Sequence, residues 1–265
     1  MSLKSFFGGF LAVVATTVSL SGVAFAQHLN MGNPSGAVAS TSYPSNYLMN
    51  KPQFSLSYHR DRGTPNWVSW QLNSTWLGSQ PRLDNFRADT SLPSGWYRVG
   101  STDYSGSGYD RGHNCPSADR TRNSTDNGST FLMTNMIPQT PDNNQGPWAR
   151  LEDYTRSLVS GGTKDAYVIM ASRGTRGTIA NGRVTAPTNI YKVILVVNRG
   201  TTASGVTTSA RVIAVRIPNT TGIRNSDWRS YRVSVDTVEA ETGYNFLSSV
   251  PTSVQSVIEA RVDNL

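Results

Sequence analysis

Several short stretches of this chain are rich in apolar residues and are separated by turn-forming segments, and this pattern predicts β-strands. The stretches are rich in Val, Ile, Tyr and Trp, which favour the half-buried surface of a sheet. RDRGTPN at residues 60–66 combines charged residues with Gly and Pro and is typical of a hairpin connection. The predicted strands are Phe54–His59, Trp67–Leu72, Asp165–Ser172, Asn189–Asn198 and Ala210–Pro218.

A helical pattern follows Pro147, a residue suited to a first helical turn, and ends at Gly161-Gly162. Its predicted apolar face consists of Trp148, Leu151, Leu158 and Val159. Residues 235–243 and 250–262 predict two C-terminal helices, whereas residues 73–108, rich in Pro, Gly, Ser and Asp, predict mostly irregular structure. Strands dominate without regular βαβ alternation, so we expect an α+β fold with a central, largely antiparallel sheet.

The N-terminus resembles an export signal. Lys4 is the only charge in residues 1–26, and the apolar run that follows ends in Ala24-Phe25-Ala26, the small-x-small form of a signal-peptidase site. A membrane anchor is the alternative, but Gly, Ser and Thr interrupt the run, which disfavours a spanning helix. We therefore expect residues 1–26 to be a cleaved signal peptide, and the mature protein to be secreted or periplasmic and free of the membrane.

Amino-acid composition divides residues 27–265 into two parts. Residues 27–50 are rich in Ser, Gly, Asn and Pro without apolar periodicity, and we interpret them as a flexible leader. Residues 51–265 suit a single domain large enough to bury a core. Beyond Lys4, 23 Lys and Arg oppose 17 Asp and Glu, a formal charge of +6 that weakly favours polyanionic partners.

The cysteine and histidine residues limit which metal sites and which general bases the chain can provide. A single cysteine, Cys115, excludes an internal disulfide and a cysteine-based zinc site, and three scattered histidines form no metal cluster. Among them, His28 lies in the predicted leader and His59 closes a predicted strand, where a surface role is the simpler interpretation. His113 lies in DRGHNCPSADR, directly after a glycine-rich loop and among charged residues. It is the best candidate for a general base near neutral pH.

Asn144, Trp148, Glu152 and Arg156 recur at intervals of four, so one continuous helix would place them on a common face. The simplest interpretation is structural: Asn144 caps the helix, and Glu152 and Arg156 form an ordinary surface pair. Pro147 argues against helix before Trp148. The presence of DRGH upstream makes a functional role worth considering.

DRGHNCPSADR, followed by TNMIPQTPDNNQGPWARLEDYTR, resembles the DNA/RNA non-specific endonuclease family, and the secreted bacterial members in particular. The resemblance runs from about Phe54 to the C-terminus and includes TPNWVSWQLN, RLDNFRADTSLP and YRVSVDTVEAETGY. A lone DRGH would be a moderate signal, whereas DRGH with Asn-x7-Glu-x3-Arg downstream is a strong one. The resemblance implies the ββα-metal nuclease fold, a central sheet flanked by helices and long loops.

The resemblance also implies roles for individual residues. His113 matches the general base that activates water, and Asn144 matches the direct ligand of a single divalent metal, Mg²⁺ or alternatively Mn²⁺. Glu152 matches the carboxylate that orients metal-bound water. Arg82 and Arg156 match cationic groups near the scissile phosphate. Arg111 and Asn135 also fall on family-typical positions, but their roles are less sharply defined. Asp110 and Gly112 would shape the turn that presents His113.

Two positions depart from the family pattern. Asn114 replaces a long apolar residue or Gln after DRGH, and Cys115 stands where Ala is common. Both are small enough for a strand beside the site, and a small buried side chain is the favoured interpretation of Cys115 over a reactive thiol.

These assignments predict an exported, metal-dependent endonuclease that cuts DNA and RNA to 5′-phosphate ends, with a protein inhibitor as a further candidate partner. Contacts that address only phosphate carry no base identity, which agrees with broad activity. Two alternatives remain at this point. A non-catalytic nucleic-acid-binding protein would bind with steep salt dependence and no cleavage, and a phosphodiesterase or phosphatase would prefer a smaller ester.

Overall fold

A seven-stranded antiparallel sheet forms the centre of the computed structural model, which describes residues 27–265. Residues 27–265 form eleven strands: β1 Tyr47–Asn50, β2 Ser55–His59, β3 Thr64–Leu72, β4 Asp110–His113, β5 Met136–Gln139, β6 Lys164–Arg173, β7 Gly177–Ile179, β8 Val184–Ala186, β9 Asn189–Asn198, β10 Arg211–Pro218 and β11 Arg232–Val233. The large sheet has the order β1-β2-β3-β6-β9-β10-β11, and β4–β5 and β7–β8 form two small antiparallel pairs.

Both faces of the large sheet are covered, which explains why its central strands are apolar on both sides. In β6, Val168 belongs to the core on one face and Ile169 to the core on the other. The first core includes Trp148 and Leu151, and the second includes Val238 and Ile258. The helices are α1 Ser124–Ser129, α2 Ala149–Val159, α3 Val235–Thr242 and α4 Thr252–Ile258. Helix α2 thus covers one face, and α3 and α4 cover the other.

The pair β4–β5 and the helix α2 are consecutive elements of one unit. In the pair, Asp110 lies opposite Gln139 and His113 opposite Met136. The chain leaves β5 through a short helical turn, Pro141–Asn143, and a wider helical segment, Asn144–Trp148, and then enters α2. Two strands followed by a helix therefore bring the DRGH motif and the downstream polar residues to one part of the molecule.

The interpretation of residues 27–50 as a flexible leader is wrong. His28, Met31 and Ala37 are buried, and β1 pairs with β2 along its whole length. The His28 imidazole contacts Pro52 O through Nε2 at 2.9 Å and accepts a hydrogen bond at Nδ1 from Gln71 N at 3.2 Å. These residues lack apolar periodicity because only the short edge strand β1 is regular structure of any length, and the rest pack as irregular chain against the sheet.

The predicted α+β fold is confirmed, and the five predicted strands and three predicted helices are all present. Residues 73–108 contain only short helical turns, as predicted. The signal-peptide prediction for residues 1–26 lies outside the described residues. Between residues 27 and 265, no helix combines the length and the apolar character that crossing a membrane requires.

Candidate active site

A polar cavity of about 370 Å³ opens beside β4. It is built from the exposed side of β4, the irregular segments before it and the helical segment that precedes α2. Arg82, Arg111 and Asn144, three of the residues predicted for the site, line it. The remaining lining residues are Asp84, Phe86, Ser101, Tyr104, Ser105, Tyr109, Asp110 and Gln145.

His113 lies at the end of β4 and is only 8% exposed. Its ring packs edge-on against Phe86 and Phe131, with centroids 5.5 and 5.0 Å away. Burial, reinforced by the charges of Arg82 and Arg111, lowers the pKa of His113 from 6.5 to about 3. The imidazole is therefore neutral at physiological pH, and its buried Nε2 has no hydrogen-bond partner among residues 27–265.

Gly112, the residue before His113, permits β4 and β5 to approach each other closely. A Cβ atom on Gly112 would lie 2.6 Å from Cβ of Gln139 on β5. Gln139 is itself fully buried and donates to Asn143 Oδ1 at 2.6 Å, so it has little room to move. Gly112 thus lets β4 pair tightly with β5, a strand-packing role rather than the predicted turn.

Two arginines supply the positive charge of the cavity. Arg111 is exposed and stacks over Phe86, with its guanidinium carbon 4.2 Å from the ring centroid. Arg82 lies 4.9 Å over Phe131 and donates to Ser117 Oγ at 3.0 Å. Aromatic stacking orients the planar guanidinium groups while leaving edge N–H groups for a phosphate.

Asn144 is held by its amide nitrogen. Nδ2 donates to Asp110 Oδ2 at 2.8 Å, and Nε2 of Gln145 donates to the same oxygen at 2.8 Å. This arrangement fixes which end of the Asn144 carboxamide is oxygen, and Oδ1 makes no hydrogen bond within the described part of the chain. Asp110 therefore orients a candidate metal ligand, a role that the sequence analysis did not assign to it.

No continuous helix joins Asn144 to Trp148, Glu152 and Arg156, so these residues do not share one helical face. Gly146 adopts φ −109° and ψ −119°, outside the helical region, and bends the chain before α2. A Cβ atom at Gly146 would lie 2.7 Å from Arg224 O, so this bend packs directly against another segment. Asn144 reaches the cavity because of the bend rather than through helical spacing.

Glu152, in the first turn of α2, is largely buried, and 15% of its side chain is exposed. Lys192 of β9 lies 3.5 Å from Oε1 of Glu152, and its Nζ is 4.1 Å from the Trp148 ring centroid. Lys192 is 1% exposed. Burial raises the pKa of Glu152 to about 7, opposed by the charge of Lys192. Sequence reasoning missed Lys192, although a lysine inside the apolar stretch NIYKVILVVN was a visible signal.

Arg156 is engaged by carboxylates. Its Nη1 lies 3.0 Å from Asp119 Oδ1, and it also pairs with Asp153. Asp119 is buried and accepts a hydrogen bond from Trp70 Nε1 at 2.9 Å. Instead of the expected surface pair of Glu152 with Arg156, Glu152 pairs with Lys192, and Arg156 pairs with Asp119 and Asp153. Neither Glu152 nor Arg156 lines the cavity.

Asn135, which the resemblance places on a family-typical position without a sharply defined role, does not line the cavity. It is fully buried, Oδ1 accepts from Cys115 N at 3.0 Å, and Nδ2 donates to Cys115 O and Thr130 O. With all of its amide groups engaged, Asn135 shapes the chain after His113. Burial raises the pKa of the Cys115 thiol to about 12, which agrees with a small packing residue rather than a reactive one.

The structure thus brings His113, Arg82, Arg111 and Asn144 together around one cavity and its adjacent strand, with Glu152 and Arg156 on the following helix. A strand pair that carries a histidine, followed by a helix with a candidate metal ligand at its entrance, defines the class of ββα-metal nucleases.

Comparison with known proteins agrees with this class. The family model of the DNA/RNA non-specific endonuclease matches residues 31–253. A protein described as a nuclease, from Nostoc sp., is 54% identical over 238 residues, which cover 89% of this chain and 86% of that protein. The mitochondrial nuclease EXOG of Danio rerio is 32% identical over 208 residues, which cover 74% of this chain and 59% of that protein.

The fold is also found in a solved structure. EndoG, in a structure of the EndoG/EndoGI complex described as showing the mechanism of EndoG inhibition, superposes with a TM-score of 0.73. The match covers 94% of this chain and 99% of that chain at 22% identity, which shows a shared fold. This chain belongs to the DNA/RNA non-specific endonuclease family and is a nuclease, a hydrolase that acts on nucleic acids.

Proposed function

We propose that this protein is an exported, divalent-metal-dependent endonuclease that hydrolyses phosphodiester bonds of DNA and RNA and leaves 5′-phosphate ends. The observation that carries this proposal is a cavity lined by Arg82, Arg111 and the carboxamide of Asn144, which opens beside β4, the strand that ends in His113.

The arginines would bind the phosphate. Arg82 and Arg111 line the cavity, and Arg111 can offer paired N–H groups to non-bridging oxygens. Nε of Arg82 donates to Asp84 at 2.6 Å and Nη1 donates to Ser117, so Arg82 would bind phosphate through its remaining N–H groups. Phosphate contacts carry no base identity, so this recognition does not distinguish sequences. A site that contacts the sugar-phosphate backbone alone is compatible with both DNA and RNA.

His113 would act as the general base. A neutral imidazole can accept a proton from the attacking water, an effect typically worth about 10²–10⁴-fold in rate. Burial, and to a smaller extent the charges of Arg82 and Arg111, lower the pKa of His113 in the free protein. A phosphodiester bound between the two guanidinium groups would offset their charge and so remove the smaller of these two causes. Phe86 and Phe131 hold the ring at a fixed angle during this transfer.

The donor set fits a hard divalent cation. Mg²⁺, with Mn²⁺ as an alternative, prefers oxygen ligands and retains several waters, so few protein ligands are needed. Asn144 Oδ1 would hold the ion directly, and Glu152 would hold it through water. When bound, the cation stabilises the charge that develops on the leaving 3′ oxygen. Asp110 fixes the Asn144 carboxamide, and Lys192 keeps the Glu152 carboxylate in place.

The proposed place of action is outside the cytoplasm, either secreted or periplasmic, as the signal-like residues 1–26 indicate. The proposed substrates are DNA and RNA. A protein inhibitor is a further candidate partner, because the structural neighbour EndoG was solved with the protein EndoGI in a complex that shows its inhibition.

The proposal is tested by replacing His113 with Ala and measuring digestion of plasmid DNA and of RNA in Mg²⁺. We expect at least a 100-fold loss on both substrates, with retained thermal stability. His59→Ala is the matched control, since His59 closes β2 away from the cavity, and it should cut normally. Near wild-type rates for His113→Ala, or full activity in excess chelator, would refute the proposal. Binding without cleavage would instead favour the nucleic-acid-binding alternative.

A further inference from the structure

Three carboxylates converge on the face of the sheet opposite to α2. Asp236 and Glu239 belong to α3, and Glu259 follows α4 directly. One carboxylate oxygen from each lies within 4.8 Å of those of the other two. None of the three lines the cavity beside β4.

Glu259 is the member that makes this cluster unusual. It is 5% exposed, and its Oε1 is fully buried without a hydrogen-bond partner among the described residues. An unpaired buried carboxylate is costly, so Glu259 needs a proton or a cation.

No basic side chain of residues 27–265 supplies that cation. Within that range, the ion pairs near this face of the sheet are made by other carboxylates, such as Asp263 with Arg211 and Glu241 with Arg216. The nearest arginine along the chain, Arg261, donates to Val257 O and Thr208 O instead. Glu239 uses one oxygen to accept from Phe246 N at 2.7 Å, which fixes its direction.

The cluster also joins two elements that are distant in sequence. Asp236 N donates to Glu259 O at 3.1 Å, so the start of α3 and the end of α4 are already in contact through the backbone. The side chains then place negative charge on both sides of this junction. Asp236 is exposed and Glu239 is half-buried, which leaves a path from solvent to the buried Glu259.

We propose that Asp236, Glu239 and Glu259 form a second cation site that takes Ca²⁺ and fastens α3 to α4. Ca²⁺ binds six to eight oxygens at 2.3–2.6 Å and accepts irregular arrangements of carboxylates. Oxygens up to 4.8 Å apart fit around an ion with these bond lengths. Mg²⁺ demands shorter bonds and keeps its waters, so it fits a three-carboxylate site less well. The site is independent of catalysis.

The test measures thermal unfolding of the chelator-treated full-length protein in added CaCl₂. The background is Asn144→Ala, which removes the direct ligand of the proposed catalytic metal. We expect millimolar Ca²⁺ to raise Tm by roughly 2–4 °C in this background, and an equal concentration of MgCl₂ to raise it less. Glu259→Gln and Asp236→Asn, added singly, should each abolish the Ca²⁺ effect. Glu241→Gln is the matched control, because Glu241 also lies in α3 but pairs with Arg216.

Each outcome bears on the proposal. If Ca²⁺ does not raise Tm in Asn144→Ala, or if the rise persists in both Glu259→Gln and Asp236→Asn, the second site does not exist. If Glu259→Gln fails to fold, Asp236→Asn carries the test, because Asp236 is exposed. With Asn144 intact, Asp236→Asn should cut DNA at the wild-type rate in Mg²⁺, which separates this site from the proposed active site.

Discussion

The carboxamide of Asn144 donates from Nδ2 to Oδ2 of Asp110 at 2.8 Å, so the first residue of β4 decides the orientation of a side chain that enters from the helical segment. This contact links the DRGH motif to the predicted metal ligand. It makes Asp110 a positioning residue, because it acts on Asn144.

We expect Asp110→Ala to raise the Mg²⁺ concentration needed for half-maximal cleavage about 10–100-fold, the usual effect of losing a partner that orients a metal ligand. Saturating Mg²⁺ should restore part of the rate. Asp142→Ala is the control, since Asp142 lies in the helical turn Pro141–Asn143 next to Asn144 but pairs with Arg224. An unchanged Mg²⁺ requirement in Asp110→Ala would show that the hydrogen bond does not position Asn144.

Lys192→Met should destabilise the fold by about 3–5 kcal/mol, because it leaves the largely buried carboxylate of Glu152 without its counter-charge. The double variant Lys192→Met/Glu152→Gln should recover much of this loss without recovering activity. Urea unfolding measures the first effect and plasmid cleavage the second. The exposed pair of Arg60 and Asp61 provides the comparison, and Arg60→Met should cost less than about 1 kcal/mol. Additive losses at Lys192 and Glu152 would contradict the coupling.

Arg111→Ala should weaken DNA binding and reduce the slope of log K against log salt concentration by about one, as expected for one lost phosphate contact. Arg111→Lys should keep the slope but cut more slowly, since an ammonium cannot form the paired contact. Binding is measured in Ca²⁺ on the His113→Ala background, so that cleavage does not interfere. Arg229→Ala, outside the cavity, should leave the slope unchanged.

Acidification should destabilise the protein through His28. Burial lowers the pKa of His28 from 6.5 to about 3, so the unfolded chain takes up a proton that the folded chain excludes. The stabilisation is therefore complete above pH 6.5 and is lost as the pH falls towards 3. At pH 5 the loss amounts to about 2 kcal/mol. Nδ1 of His28 is also the acceptor for Gln71 N, and protonation removes that acceptor.

His28→Gln keeps polar groups at this position but cannot titrate, so its Tm should fall less steeply than that of the wild type between pH 6.5 and 4. His59→Gln is the control, because His59 is half-buried and its loss should leave most of the slope in place. Parallel curves for wild type and His28→Gln would exclude His28 as a source of acid sensitivity.

The local pattern of apolar and polar residues was sufficient to predict the main helices and strands. The strand at Asn189–Asn198 was predicted at its observed bounds, because a long apolar run flanked by Asn has few other outcomes. The prediction of a flexible leader at residues 27–50 was wrong because Met31 and Ala37 are buried in a core with residues distant in the sequence. Local periodicity carries no information about such contacts. A short edge strand without alternation gives no signal of its own.

The sequence by itself determined the family and the helix and strand types, since these depend on motifs and on local side-chain patterns. It also predicts His113, Asn144, Arg82 and Arg111 as site residues. The tertiary structure alone decided that Asp110 orients Asn144, that Asn135 is a buried brace, and that Lys192 neutralises Glu152. These relationships join residues more than 15 positions apart in the chain. Hydrogen bonds and ion pairs depend on distance in space, which only the packed strands and helices fix.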